Sequence, residues 1–164
     1  MQLYSNPIRR GLMMAALAAG TLATAPLAYA GTCPADATRP DGTGQAKNAT
    51  AGKGVTDTVL SSIDLAKEPA KVQGRLLRLR RLVVEPGGVV PWHEHANRPA
   101  LIYVVSGEIT EYASTCAVPI VHRAGEAATE THATAHWWKN TGAETVVLLS
   151  ADLFPTAGAN EHMM

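Results

Sequence analysis

Two histidines of this chain, His93 and His95, stand at a spacing that suits metal chelation. His93 and His95 are separated by one residue, and alternate side chains of an extended segment project from the same face. Two imidazoles placed in this way can bind one metal ion, and a second histidine region at residues 125–140 strengthens the case for a metal site. Because imidazole binds a metal in its neutral form, we expect metal release as the pH falls through the imidazole range near roughly 6.5.

The segments that must position these histidines have the pattern of short β-strands. Runs of strand length, rich in Val, Ile and Leu, alternate with Gly, Pro and Asn at close spacing. This pattern favours an antiparallel β-sandwich or barrel. Strands are predicted at residues 55–63, 74–84, 89–92, 100–106, 108–112, 118–123, 136–139 and 144–149.

Two separately spaced motifs make the chain resemble the cupin superfamily. Its first motif reads G-x5-H-x-H-x3-4-E-x6-G, and Gly87, His93, His95 and Gly107 stand at its positions. The second reads G-x5-P-x-G-x2-H-x3-N, and Gly125, His136 and Asn140 stand at its positions. The resemblance implies an all-β, single-domain cupin-type jelly-roll β-barrel over residues 55–154. It also implies that His93, His95 and His136 meet inside the barrel as metal ligands.

The sequence departs from the family pattern at the glutamate ligand, whose position is taken by Ala100. The resemblance therefore implies a three-histidine site without a carboxylate, as in cupins that work as oxygenases. Glu94 has the wrong strand parity to replace the carboxylate. Glu130 and His132 share the parity of His136 but are expected in the preceding turn, at the mouth of the barrel.

Four residues are candidates for substrate contact. Ile102 and Val104 share the parity of Ala100 and are expected on the inner apolar wall. Arg98 is placed to bring its guanidinium to the barrel entrance, where it suits a carboxylate substrate, or it is a solvated loop arginine. His132 is a fourth ligand, an acid/base group or a solvated turn residue.

Two functional classes follow from the resemblance. The first is a metal-dependent small-molecule oxygenase, lyase or isomerase that holds a divalent transition metal, which is Fe, Mn, Ni, Cu or Zn. The second is a non-catalytic cupin that binds a small ligand or partner, with weak or no metal binding. The resemblance also suggests a homodimer. Leu101, Tyr103 and Val105 face the other way from Ile102 and Val104, and if this second face is buried, it lies against another sheet or another subunit.

Residues 1–30 have the pattern of a secretory signal peptide. Arg9 and Arg10 precede an apolar run that is too short to span a bilayer, and Ala28-Tyr29-Ala30 matches an A-x-A cleavage site. The pair of arginines also permits twin-arginine export. We therefore expect a periplasmic or secreted protein with no stable membrane span after cleavage. Residues 31–54 are predicted to be a flexible linker or arm, and residues 155–164 a flexible C-terminal tail.

The cysteine count and the charge complete the sequence-based expectations. Cys33 and Cys116 are an even pair in an oxidising compartment, so we expect a disulfide that ties the arm to the barrel. The chain has 14 Lys+Arg and 14 Asp+Glu, with a formal net charge of zero. Nucleic-acid binding requires a basic surface, so nucleic acid is excluded as a partner.

Overall fold

The structure is a computed structural model that describes residues 31–156. Eight antiparallel strands are present: β1 (Lys53–Asp64), β2 (Arg75–Glu94), β3 (Ala100–Ser106), β4 (Glu108–Ala113), β5 (Ile120–Arg123), β6 (Ala127–Glu130), β7 (Ala135–Lys139) and β8 (Val146–Pro155). They form one sheet in the order β5-β4-β7-β2-β8-β3-β6, with β1 paired to β2. The sheet curls into a nearly closed barrel, which confirms the predicted all-β jelly-roll fold.

The barrel core is filled by the inward side chains of most strands. Its centre contains Val84, Val104, Ile109 and Val146, each at most 1% exposed. Alternation of buried and exposed residues along β3 and β8 places one face of each strand in this core. Burial of these aliphatic side chains is the main force that closes the sheet.

Strand β2 runs through a segment that the sequence marks as a turn. Lys53 and Val55 of β1 pair with Val89 and Val84 of β2, so residues 85–88 bulge out of the ladder while the strand continues. A Cβ on Gly88 would lie 2.7 Å from the carbonyl oxygen of Glu85. The glycine is needed for this close approach of backbone to backbone. The bulge redirects the strand before it reaches His93.

Residues 31–52 lie along the barrel as an arm. A single 3-10 turn spans Ala35–Ala37, and Thr38 forms an isolated bridge with Cys116. The backbone of Gly44 donates to Ser114, and the carbonyl of Ala49 accepts from Trp92. These hydrogen bonds hold the arm against the barrel.

The predicted disulfide joins Cys33 to Cys116, with a sulfur–sulfur distance of 2.01 Å. The bond anchors the start of the arm to the segment between β4 and β5.

No helix among residues 31–156 is long and apolar enough to cross a membrane. The predicted signal peptide and the last eight residues of the predicted tail lie outside the described residues.

The outer surface of the sheet carries an apolar face across five strands. Ser61, Leu79, Ala151, Leu101 and Thr129 lie side by side from β1 to β6 and include no charged residue. Large apolar side chains of this face are open to solvent, among them Ile63, Leu77, Leu79, Leu101 and Tyr103. Contiguous apolar surface of this kind is uncommon on a monomer.

Candidate metal centre

Four side chains converge inside the barrel: His93, His95, Glu130 and His136. His93 lies near the end of β2 and is paired directly with His136 of β7, while His95 follows β2 and Glu130 ends β6. One ligand atom from each of the four residues lies within 4.8 Å of the others. The three histidines that the sequence singled out are therefore brought together.

Glu130 supplies the carboxylate that the sequence motif lacks. Ala100 is paired with Glu130 across β3 and β6, so the carboxylate comes from the neighbouring strand, opposite the expected position. Its two oxygens lie 3.1 Å from Nε2 of His95 and 3.2 Å from Nε2 of His136. This corrects the expectation of a site without a carboxylate. Glu130 was expected in a turn, and only the strand register shows that it faces Ala100.

Each imidazole of the cluster is oriented through its other nitrogen. Nδ1 of His93 donates to the carbonyl of Pro91, and Nδ1 of His95 donates to the carbonyl of Arg98, both at 2.8 Å. Nδ1 of His136 lies 2.6 Å from Oε1 of Glu111. In all three rings Nε2 is thus directed into the cluster. In metal sites, too, a hydrogen bond to the second ring nitrogen orients the histidine ligand.

Glu111 connects the cluster to a fourth buried histidine. Its second oxygen lies 2.8 Å from Nε2 of His122. Burial favours the neutral acid, but hydrogen bonds from His122 and His136 lower the pKa of Glu111 to about 2. Glu111 is therefore a carboxylate that accepts from both rings.

The neighbouring carboxylates give the three imidazoles different pKa values. Burial, reinforced by His136, lowers the pKa of His93 to about 3. Burial also opposes the charged form of His136, yet hydrogen bonds to Glu111 and Glu130 outweigh it and raise its pKa to about 9. Glu130 is buried, but its contact with His136 lowers its pKa. In the absence of metal, His136 is an imidazolium between two carboxylates.

Four contacts among the cluster atoms have lengths compatible with ligands around a single transition-metal ion. Two ligand atoms at about 2.1 Å from one ion are about 3.0 Å apart at right angles and about 3.4 Å apart in a tetrahedron. The Nε2 atoms of His95 and His93 lie 3.0 and 3.2 Å from Nε2 of His136, and both Glu130 contacts fall in the same range. Three imidazoles and one carboxylate are a donor set suited to Zn, Fe, Mn, Ni or Cu.

A small cavity lies directly beside the cluster. It has a volume of about 20 Å³ and is lined by His93, Glu130, Ile102 and Arg80, among others. This is room for about one water molecule. Ile102 therefore lies on the inner wall, as expected, whereas Val104 is packed into the apolar core and does not line this cavity.

The other two candidates for substrate contact, Arg98 and His132, do not line this cavity. Arg98 is fully buried, and its guanidinium donates to Asp152 at 3.0 Å. The arginine is thus part of an internal ion pair, whereas the sequence placed it at the entrance or in solvent. His132 is exposed in the turn between β6 and β7.

The sequence analysis identified neither Glu111 nor His122 as part of the site. Both are buried and face the barrel interior from β4 and β5, where Ile109 is paired with His122. The available signal was strand parity, because Ile109, Glu111 and Ala113 alternate along β4. A carboxylate at a predicted core position indicates a buried partner.

Comparison with known proteins agrees with this geometry. Residues 80–152, which contain all four cluster residues, match the family described as "Cupin domain". Residues 80–152 are thus a cupin domain. No curated protein matches the sequence.

Solved structures of cupins resemble this one at low sequence identity. A predicted oxalate decarboxylase from Thermotoga maritima is 19% identical with a TM-score of 0.51, and the match covers 75% of this chain and 98% of that one. The Schizosaccharomyces pombe Cnp3 cupin domain is 14% identical with a TM-score of 0.50, over 63% and 67% of the two chains. The cupin domain of an XRE family transcriptional regulator from Enterobacter cloacae is 14% identical with a TM-score of 0.49, over 63% and 99%. At these identities the likeness extends to the fold alone.

Proposed function

We propose that this cupin binds one divalent transition metal through His93, His95, Glu130 and His136 and uses it to transform a small molecule. The convergence of the four ligand atoms within 4.8 Å is the observation that carries the proposal. Three neutral imidazoles and one carboxylate leave a bound dication with a net positive charge and with a coordination position open to a water-sized ligand. The proposed reaction class is an oxygenase or a related lyase or isomerase.

The chain's own residues have distinct roles in this proposal. The metal, when bound, supplies Lewis acidity and, for a redox-active ion, electron transfer. The carbonyls of Pro91 and Arg98 and the carboxylate of Glu111 hold the three imidazoles in place. Ile102 excludes bulk water from the adjacent cavity, which admits only a water-sized group. Glu111 accepts a hydrogen bond from His136 and increases the basicity of that ligand.

Elemental analysis of the exported protein tests the metal site. We expect about one metal ion per chain in the wild type and loss of most of it in Glu130→Gln and His93→Ala. Glu94→Gln is the matched control, because Glu94 is exposed next to the same histidines and should not affect metal content. Equal metal content in Glu130→Gln and the wild type would refute Glu130 as a ligand.

Turnover by the metal-loaded protein separates the enzyme from the non-catalytic cupin that the sequence left open. Oxygen uptake with a panel of small organic substrates tests the oxygenase class, and proton NMR of the same mixtures detects lyase or isomerase products. Metal-dependent turnover that disappears in Glu130→Gln supports the enzyme. Full metal loading without turnover across the panel supports the non-catalytic binder.

Export and dimer formation are part of the proposal. The signal-peptide pattern and the Cys33–Cys116 disulfide support a periplasmic or secreted location. N-terminal sequencing of secreted or periplasmic material should begin at Gly31, and retention of residues 1–30 would refute cleavage there.

A second copy of this chain is the proposed partner of the apolar outer face, since a largely apolar surface is complementary to itself. Light scattering should show a dimer for the wild type and a monomer for Leu101→Asp. A monomeric wild type would refute this.

A further inference from the structure

A second and larger cavity lies against the residues that support the metal cluster. Its volume is about 300 Å³, and it is enclosed by the start of the arm, strands β4 and β5, and strand β6. Glu111 and His122 both line it, and Gly31 and Thr32 of the arm form part of its wall. The 20 Å³ cavity beside His93 admits a water-sized group, whereas this one has the size of a small-ligand site.

His122 presents an unused acceptor at this cavity. The side chain is 1% exposed, and its Nε2 donates to the Glu111 carboxylate at 2.8 Å. In the neutral ring Nδ1 is then the acceptor nitrogen, and no group among the described residues forms a hydrogen bond with it. A Cβ on Gly31 would lie 3.0 Å from Nδ1, so this atom lies against Gly31, which forms part of the cavity wall. A buried polar atom left without a partner is destabilising, and a ligand's hydrogen-bond donor would satisfy it.

The charges around the cavity define what kind of ligand it suits. Glu111 is the only charged side chain among its lining residues, and neither Lys nor Arg is present there. Both oxygens of Glu111 already accept from imidazoles, at 2.6 Å from His136 and 2.8 Å from His122. A carboxylate or phosphate would meet no Lys or Arg side chain in this cavity, and the Gly31 nitrogen in its wall is already directed at the Glu126 carboxylate, at 3.3 Å. A hydroxyl group would find an acceptor in Nδ1.

We propose that this cavity binds a small neutral molecule of about one ring's size whose hydroxyl group donates to Nδ1 of His122. The inference deepens the proposed function, since it assigns the substrate class and the substrate pocket of the same metal centre. His122, Glu111 and His136 then form a continuous hydrogen-bonded connection between the ligand hydroxyl and the metal cluster. The arm, held by the Cys33–Cys116 disulfide, closes one side of the pocket.

Binding of three probes to the processed, zinc-loaded protein tests the proposal. Phenol offers a hydroxyl donor, fluorobenzene has a similar size without a donor, and benzoate carries a negative charge. By ligand-observed NMR titration we expect phenol to bind about tenfold more tightly than either of the other two. His122→Phe preserves an aromatic ring against Trp138 but removes the acceptor, so it should abolish the preference for phenol over fluorobenzene. Arg123→Gln, on the exposed neighbour in β5, is the matched control and should retain the preference.

Nitrogen NMR of the wild type provides a test that needs no variant. In protein with ¹⁵N-labelled histidine, saturating phenol should move the Nδ1 resonance of His122 and leave its Nε2 resonance nearly unchanged. An unmoved Nδ1 resonance, no saturable phenol binding up to 20 mM, or tighter binding of benzoate than of phenol would overturn the proposal. Zinc binding without a phenol preference overturns this inference alone. A phenol preference in a protein that fails to bind zinc overturns the metal proposal and leaves the pocket assignment standing.

Discussion

The charge state of His136 predicts how metal affinity depends on pH. In the metal-free protein its pKa is raised to about 9, because the stabilising contacts with Glu111 and Glu130 outweigh burial. A metal ion that binds Nε2 must displace the proton from this nitrogen. His93, with a pKa lowered to about 3, is already neutral and contributes no proton at physiological pH.

The size of the effect follows from these values. For one competing proton, the apparent dissociation constant is multiplied by 1 + 10^(pKa − pH), which with a pKa of about 9 is roughly 100 at pH 7 and roughly 4 at pH 8.5. The affinity should therefore rise about 24-fold between pH 7 and pH 8.5. Three unperturbed imidazoles with a pKa near 6.5 would give only about a twofold rise over the same range.

Zinc competition against a chelator of known affinity at each pH measures this dependence. Calorimetry in two buffers of different ionisation enthalpy gives the proton count directly, and about one proton should be released per zinc at pH 7.5. A change in the dissociation constant of less than threefold between pH 7 and pH 8.5 would show that His136 is not protonated between its two carboxylates. It would also restore the simpler expectation of metal loss near roughly pH 6.5.

Three further substitutions test the network around the site. Glu111→Gln removes the carboxylate that orients His136, so metal affinity measured by chelator competition should fall about 10- to 100-fold. Glu108→Gln, on the exposed side of β4, is the control and should leave the affinity unchanged. Replacing Cys33 and Cys116 by Ser opens a loop with a sequence separation of 83 and should lower the free energy of unfolding by roughly 4 kcal/mol, seen as a lower melting temperature in calorimetry. An unchanged melting temperature would contradict this. Asp152→Asn removes the charge that three buried or partly buried arginines share and should cost about 3–5 kcal/mol in urea unfolding; a cost below 1 kcal/mol would refute that role.

The apolar alternation was sufficient to predict much of the fold, and the H-x-H spacing was sufficient to predict part of the site. Side-chain parity along a single strand is a local property, so His93 and His95 could be assigned to one face from the sequence. The disulfide between Cys33 and Cys116 was likewise predicted, and so were strands β3 to β5, whose ends lie within two residues of the predicted ones. Segment 85–88 was expected to be a turn, because a glycine-containing bulge and a turn have the same composition.

The residues that complete the site depend on the pairing between strands, which parity within one strand does not determine. Glu130 reaches the cluster because β6 pairs with β3 in the register that sets it opposite Ala100. Glu111 is buried between two histidines from different strands, and Arg98 is paired with Asp152, 54 positions away in sequence. The sequence by itself determined which residues could bind a metal and the class of fold that carries them. Only the tertiary structure decided which carboxylates they meet, because strand register and barrel closure arise from contacts distributed over the whole chain.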